Sequence, residues 1–145
     1  MELSAKSEYA LLALLEMSAA YDQGEPLQIR QISALHTIPD RYLEQLMATL
    51  RRKGLIRSQR GARGGYLLAK PPGQISVLEV LDCIEGIDSK LAEKQPNNTD
   101  LARNLIRSVW LEACEAANTV LAKHTLQDLC DRRRAYQQVD VMYYI

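Results

Sequence analysis

YLEQLMATLRRKGLIRSQRGARGGYLLAKPPGQISVLEVLDCIEG, residues 42–86, changes its hydrophobic period twice. As far as Gly54 the apolar residues recur at helical spacing, with Tyr42, Leu43, Leu46, Met47 and Leu50 on one face. Pro39 and Asp40 just ahead read as the helix start, because proline suits a first turn and an acid there complements the helix dipole. Gly54 is the expected C-terminal cap. Beyond it the pattern alternates, so LIRSQ (55–59) and YLLAK (66–70) read as two short strands around the glycine-rich GARGG. Pro71, Pro72 and Gly73 end this hairpin, and SVLEVLDCIEG returns to helix with Ser76 as N-cap, Glu79 as its capping-box partner and Gly86 as the stop.

Upstream, SAKSEYALLALLEMSAAY (4–21) places Ala5, Tyr9, Leu12, Leu15 and Ala19 at intervals of three or four, widened by Leu11 and Leu14, which predicts a largely buried helix. The turn signals Asp22 to Pro26 end it; Ile29, Ile32, Ala34 and Leu35 then fit a short helix, and His36 to Ile38 a tight connection. Helix, short helix, tight turn, helix and glycine-tipped hairpin is the plan of a winged helix-turn-helix. The expected fold is therefore mainly α with a small β hairpin. In that plan the second helix of the pair enters the major groove, about 12 Å wide, while the hairpin reaches the backbone or the adjacent minor groove.

Downstream, the polar stretch 88–100 reads as a linker. From Asp100 a long helix carries Leu101, Leu105, Val109, Ala113, Ala116, Ala117, Val120 and Leu121 on one side. Its alanines admit close helix approach, so a second copy of the chain is the simplest cover, with packing onto its own first domain as the alternative. TLQDLCDRRR (125–134) predicts a short amphipathic helix, and the apolar tail VDVMYYI (139–145) is expected to dock. The chain divides into a DNA-binding unit, 1–75, and a unit of linker helix, dimerisation helix and tail, 76–145.

Length and composition agree with this reading. At 145 residues, 47% hydrophobic and 25% charged, the chain is one soluble domain's worth of sequence. No apolar run approaches the roughly 18 residues of a membrane span, and no signal-peptide pattern is present. Three widely spaced cysteines, Cys83, Cys114 and Cys130, argue for reduced thiols and a cytoplasmic location. The net charge of zero hides a division: residues 1–75 carry ten Lys or Arg against seven Asp or Glu, and residues 76–145 eight against eleven. Within 41–70 eight bases (Arg41, Arg51, Arg52, Lys53, Arg57, Arg60, Arg63 and Lys70) face one acid, Glu44, the electrostatic footprint of an anion site.

Chemistry separates the candidates for DNA contact. Arg41 and Tyr42 occupy the first turn of the recognition helix, though Tyr42 equally fits a core aromatic. Glu44 either accepts from a base amine such as cytosine N4 or pairs with an arginine; Gln45 can bond adenine. Arg51, Arg52 and Lys53 combine phosphate contact with favourable placement at a helix C-terminus. Arg60 and Arg63 flank the hairpin tip, where Gly61, Gly64 and Gly65 let the backbone approach a duplex and an arginine can enter a narrow minor groove.

The run 42–86, the opening LSAKSEYALLALLEMSA and TLQDL at 125–129 together resemble the Rrf-type family of bacterial transcription regulators, which includes the iron-sulfur cluster assembly regulator and the nitric-oxide-sensing repressor. The combination YLEQL, RxxGLI, RGxxGGY and LAxP carries the resemblance. It implies a homodimeric regulator bound to double-stranded DNA, expected to repress from an imperfect palindrome, with Glu44 and Arg60 at positions used for base or groove recognition. Cluster-binding members hold three closely spaced cysteines in the loop before the dimer helix. Here that loop, IDSKLAEKQPNNTD, contains none, so the effector and any cofactor stay open. An unconventional iron-sulfur site built from Glu8, Cys83 and Cys114 across a dimer, with His36 and His124 as further ligands, is one reading and a thiol redox switch another; a solvent-edge acid and small core thiols are the plainer one. A winged-helix protein-interaction module without DNA binding is the competing function. An enzyme is not expected, since no nucleophile and base, metal-ligand set or nucleotide loop stands out.

Overall fold

The computed structural model describes residues 2–86 and 100–143. The expected linker therefore lies outside the described residues except for Asp100, as do the last two residues of the tail. The elements are α1 (Ala5–Ala19), α2 (Ile29–His36), α3 (Asp40–Arg52), β1 (Ile56–Gln59), β2 (Gly65–Leu68), α4 (Val77–Glu85), α5 (Leu101–Lys123) and α6 (Leu126–Tyr143), with 3₁₀ turns at Tyr21–Gln23 and Pro72–Gln74. This is the mainly helical winged arrangement predicted.

Helix α1 is the centre of the core, packed against α3, α4 and α6. Its most buried face is Ser7, Ala10, Ala13, Leu14, Met17 and Ser18 rather than the expected stripe of Ala5, Tyr9, Leu12, Leu15 and Ala19. The small residues explain the difference. Ala10 and Ala13 are small enough to be fully enclosed by the neighbouring helices, and the larger Tyr9 and Leu11 pack at the flanks, partly buried. Ser4 caps α1 by accepting from the Ser7 amide at 3.2 Å, and the Ser4 and Ser7 hydroxyls both donate to the Glu85 carboxylate at the end of α4. The two helix ends are thus fastened by polar contacts at the edge of an apolar interface.

Helix α2 buries Ile32, whereas Leu35, expected on the same apolar face, is exposed because the eight-residue helix turns it away from α1 and α3. Thr37 adopts φ 54°, the left-handed conformation that ends α2 and reverses the chain into α3. Leu43, Leu46, Met47 and Leu50 of α3 then close on α1, each such side chain contributing about 1.5–3 kcal/mol by burial. The hairpin pairs Ile56 with Leu68 and Gln59 with Gly65 in antiparallel register. A third segment joins it: Leu27 and Tyr66 exchange two backbone hydrogen bonds of 3.0 and 2.8 Å, stitching the wing to the residues that lead into α2.

Ser76 caps α4 as expected, accepting from the Glu79 amide at 3.1 Å. The reciprocal half of the expected capping box is replaced, since the Glu79 carboxylate receives Lys70 Nζ at 2.7 Å. Lys70 is thereby neutralised within the fold and does not belong to the free basic surface.

The C-terminal half departs most from expectation. Helix α6 does not stop after Arg134; it runs on to Tyr143, so the tail is helical. Its first turns enter the core through Leu126 and Cys130, but Tyr136, Val139, Val141 and Met142 are exposed, so these tail residues find no cover among the described residues of the single chain. Thr125 and Asp128 cap α6 reciprocally at 2.9 and 3.1 Å, and the hydrogen bond from the Thr125 amide holds the Asp128 carboxyl below the usual carboxylate range. Helix α5 turns Asn104, Arg107, Cys114, Ala117 and Leu121 partly inward. Leu101, Leu105, Ile106, Val109, Trp110 and Val120 are left facing outward.

Candidate nucleic-acid interface

The periodicity of α3 that buries Leu43, Leu46, Met47 and Leu50 necessarily turns Arg41, Glu44, Gln45, Ala48 and Arg52 to the opposite side, and all five are exposed. This is a reading face of polar side chains around a small one. Glu44 makes no ion pair among the described residues, so the reading in which an arginine neutralises it is not realised. Tyr42 falls on the other side of its alternative. It packs edge-on against Tyr9 at 5.6 Å between ring centroids and is half-buried against the core. It also lines a shallow depression together with Tyr9, Pro39, Arg41 and Gln45.

At the far end of α3, Arg51 donates to Ser58 Oγ on β1 at 3.4 Å and Arg52 to Thr49 Oγ1 at 3.4 Å. The first of these contacts brings the end of the helix beside the hairpin, while Arg51, Arg52 and Lys53 stay exposed to solvent. Both weak bonds are to neutral hydroxyls, so the positive charge is undiminished. Arg57 is exposed on β1 in the same neighbourhood.

The wing tip is built by its glycines, but not all in the way expected. Gly61 has φ 113° and open space around it, a position that a duplex can approach. Gly64 and Gly65 are instead needed inside the protein. A Cβ on Gly64 would stand 2.3 Å from the Gln59 carbonyl oxygen, and one on Gly65 would stand 2.6 Å from that of Leu27. Their smallness closes the turn on itself and seats β2 against Leu27. Arg60 and Arg63, on either side of that turn, are exposed and make no ion pair among the described residues.

Sequence reasoning missed one part of this surface. Gln28, Arg30 and Gln31 at the start of α2 line a groove of about 760 Å³ together with Gln59 and Arg63 of the wing. Arg30 lay outside the basic cluster in the sequence, and only the Leu27–Tyr66 pairing brings it beside Arg63; the signal available beforehand was the polar triplet around Ile29.

The candidate metal ligands are not gathered. Glu8 is exposed on α1, Cys83 half-buried on α4 and Cys114 half-buried on α5. Among the described residues no group of three or more His, Cys, Asp or Glu side chains is placed to hold a metal ion. Burial pushes the thiols of Cys83 and Cys130 up, outweighing the nearby cations, so both favour the protonated form. His36 is engaged elsewhere: its Nε2 lies 3.0 Å from Glu16, which also accepts Arg133 Nη1 at 2.5 Å. The residues of a single chain therefore do not fit the three-thiolate anchor of an iron-sulfur cluster.

Comparison with known proteins agrees with this architecture. The Rrf2 family profile, described as an iron-dependent transcriptional regulator, matches residues 3–132. A Synechocystis protein named as an HTH-type transcriptional regulator is 36% identical over 94% of this chain and 92% of its own length. CymR of Bacillus subtilis, also an HTH-type transcriptional regulator, is 31% identical over 99% of both chains. Among solved structures, IscR of T. potens superposes with a TM-score of 0.79 at 29% identity, covering 94% of this chain and 91% of that one. With its reading helix, its wing and near full-length kinship to these regulators, the chain belongs to the Rrf2 family and is a DNA-binding transcriptional regulator.

Proposed function

We propose that this regulator works in the cytoplasm as a homodimer, recognises an imperfect palindrome and represses by covering promoter DNA, without performing chemistry on it. Residues 1–75 supply the DNA-binding unit and residues 76–145 the dimerisation unit. The observation that carries the reading is the face of α3, on which Arg41, Glu44 and Gln45 stand exposed opposite a fully apolar buried face. Glutamate is the informative member. A carboxylate without an ion-pair partner repels phosphate but can accept from a base amine such as cytosine N4, which supports sequence discrimination by α3 in addition to charge. The outward row Leu101, Leu105, Val109 and Trp110 supports the dimer, because an exposed apolar helix face of this length is covered most simply by its own symmetry mate. Two copies would place their α3 helices on half-sites about one helical turn, roughly 10 bp, apart or a small multiple of it.

Selection of duplexes from a randomised pool, followed by titration against salt, tests the reading. The expected result is a limited set of related palindromes bound with a steep salt dependence. Uniform binding to every duplex removes sequence recognition, and affinity indifferent to salt turns the fold into a protein-interaction module. Within the bound set, Arg60→Ala is expected to cost about 1–3 kcal/mol on the selected duplex and less on random DNA; equal losses reduce Arg60 to a phosphate contact.

A further inference from the structure

We propose that the groove between the start of α2 and the wing is a track for one sugar-phosphate strand of the duplex, with Arg30 and Arg63 holding its phosphates from the two walls. The inference rests on the DNA-binding reading and assigns to it a second contact surface, distinct from the outer face of α3. The walls are fixed before any ligand arrives, because the Leu27–Tyr66 hydrogen bonds of 3.0 and 2.8 Å and the close seating of Gly65 on Leu27 lock the α2 entry to β2. The backbone of the two walls is therefore set in advance, and only the exposed arginine and glutamine side chains remain to be ordered on binding.

The lining chemistry selects an anionic, acceptor-rich occupant. Two guanidinium groups face the groove against one carboxylate, Glu25, and neither arginine has an ion-pair partner among the described residues. Gln28 and Gln31 form a reciprocal capping box: the Gln31 side-chain oxygen accepts from the Gln28 amide at 2.8 Å, and the Gln28 side chain accepts from the Gln31 amide. Each glutamine thus commits its oxygen to the helix start and keeps its NH₂ group as a donor. Five donor-bearing side chains, those of Gln28, Arg30, Gln31, Gln59 and Arg63, in an open trough suit a phosphodiester chain. A small effector is a poor match, because such ligands take concave sites walled mainly by apolar and aromatic groups, and this lining has no aromatic residue. The wing then divides its labour: Arg60 lies at the tip, free for the minor groove, and Arg63 belongs to the backbone track.

The test uses the full chain and two probes, a duplex selected by the wild-type protein and a scrambled duplex of the same composition, titrated by fluorescence anisotropy from about 50 to 200 mM salt. Arg30→Gln is expected to weaken both duplexes by the same factor, about five- to tenfold, and to reduce the slope of log affinity against log salt by about 1. Arg30→Lys restores the slope. Single methylphosphonate substitutions along the selected duplex are expected to reveal one phosphate whose neutralisation costs wild type affinity but costs Arg30→Gln nothing further. An unchanged slope in Arg30→Gln, or a loss confined to the selected duplex, overturns the track while leaving the function standing. A wild-type chain that binds neither duplex overturns both.

Discussion

Helix α3 buries Leu43, Leu46, Met47 and Leu50 within 13 residues, whereas α5 runs for 23 residues and buries none. Both carry apolar residues at helical spacing. The first spends them on its own chain's core, which leaves its opposite face polar and free for a duplex. The second leaves Leu101 74% and Ile106 73% exposed, and α6 repeats the situation with Met142 at 78%. Within the single chain α3 is thus fully partnered along its apolar face, whereas α5 and the end of α6 keep theirs exposed, although Leu126 and Cys130 at the start of α6 are buried in the core. On the proposed dimer, assembly through α5 would set the spacing of two α3 helices whose polar faces are already formed in each chain.

The largest effect expected from breaking the comparison comes from the exposed side. Leu105→Glu combined with Val109→Glu places charges in the outward row of α5, and the expected product is a folded monomer by sedimentation. Loss of the second half-site should lower affinity for the selected duplex by about 10²–10⁴-fold, the avidity that a linked second site contributes. A variant that stays dimeric and binds normally would refute the assignment of α5 as the interface.

Next in size is the partnered side. Leu50→Ala removes a fully buried side chain from the centre of the core and is expected to cost about 2–5 kcal/mol in urea unfolding. Leu101→Ala, on the exposed row, should change monomer stability by less than about 0.5 kcal/mol. Equal losses at the two positions would mean that α5 is packed within its own chain after all.

The wing provides a finer contrast within one loop. Gly65→Ala combines φ 154° with a Cβ 2.6 Å from the Leu27 carbonyl, so about 1–3 kcal/mol of strain and a separated Leu27–Tyr66 pair are expected. Hydrogen exchange at the Tyr66 amide would register the separation. Gly61→Ala meets no neighbour and should lose less stability, with its effect appearing in DNA binding instead.

The smallest expected effect concerns the join between the two halves. Glu16 of α1 accepts from His36 at the end of α2 and from Arg133 on α6. Burial raises its carboxyl, but the hydrogen bonds from Arg133 and His36 outweigh that, and its pKa lies below the ordinary 4.5. A depressed folded value means that this carboxylate stabilises the fold above pH 4.5, and that the contribution disappears as pH falls through the folded value. Glu16→Gln is therefore expected to cost about 1–2 kcal/mol at pH 7, with the difference from wild type vanishing in acid melts. A constant difference across pH would assign the loss to packing alone.

Much of the recognition surface was legible because it depends on local rules. Proline and aspartate starting α3, Gly54 ending it and alternation on either side of GARGG are short-range signals, and a helix that buries one face must display the other. The Tyr42 alternatives, by contrast, differ only in what stands across from the ring, and Tyr9 is 33 positions away in the sequence. Gly64 and Gly65 read as approach points for DNA until Gln59 and Leu27 were seen to occupy the space beside them. The tail shows a related limit: apolar residues announce that they will be covered, but not whether the cover belongs to the same chain.

By itself, then, the amino-acid order determined the succession of helices and strands, the charge concentrated in 41–70 and the kinship to a family of regulators, since periodicity, capping and composition act over a few residues. Tertiary structure alone decided that Arg30 stands across a groove from Arg63, that Lys70 is withdrawn by Glu79 and that Glu16 ties α6 to α2. Contacts of that kind depend on how distant segments pack, and packing is settled by the shapes of whole faces rather than by any neighbouring run of residues.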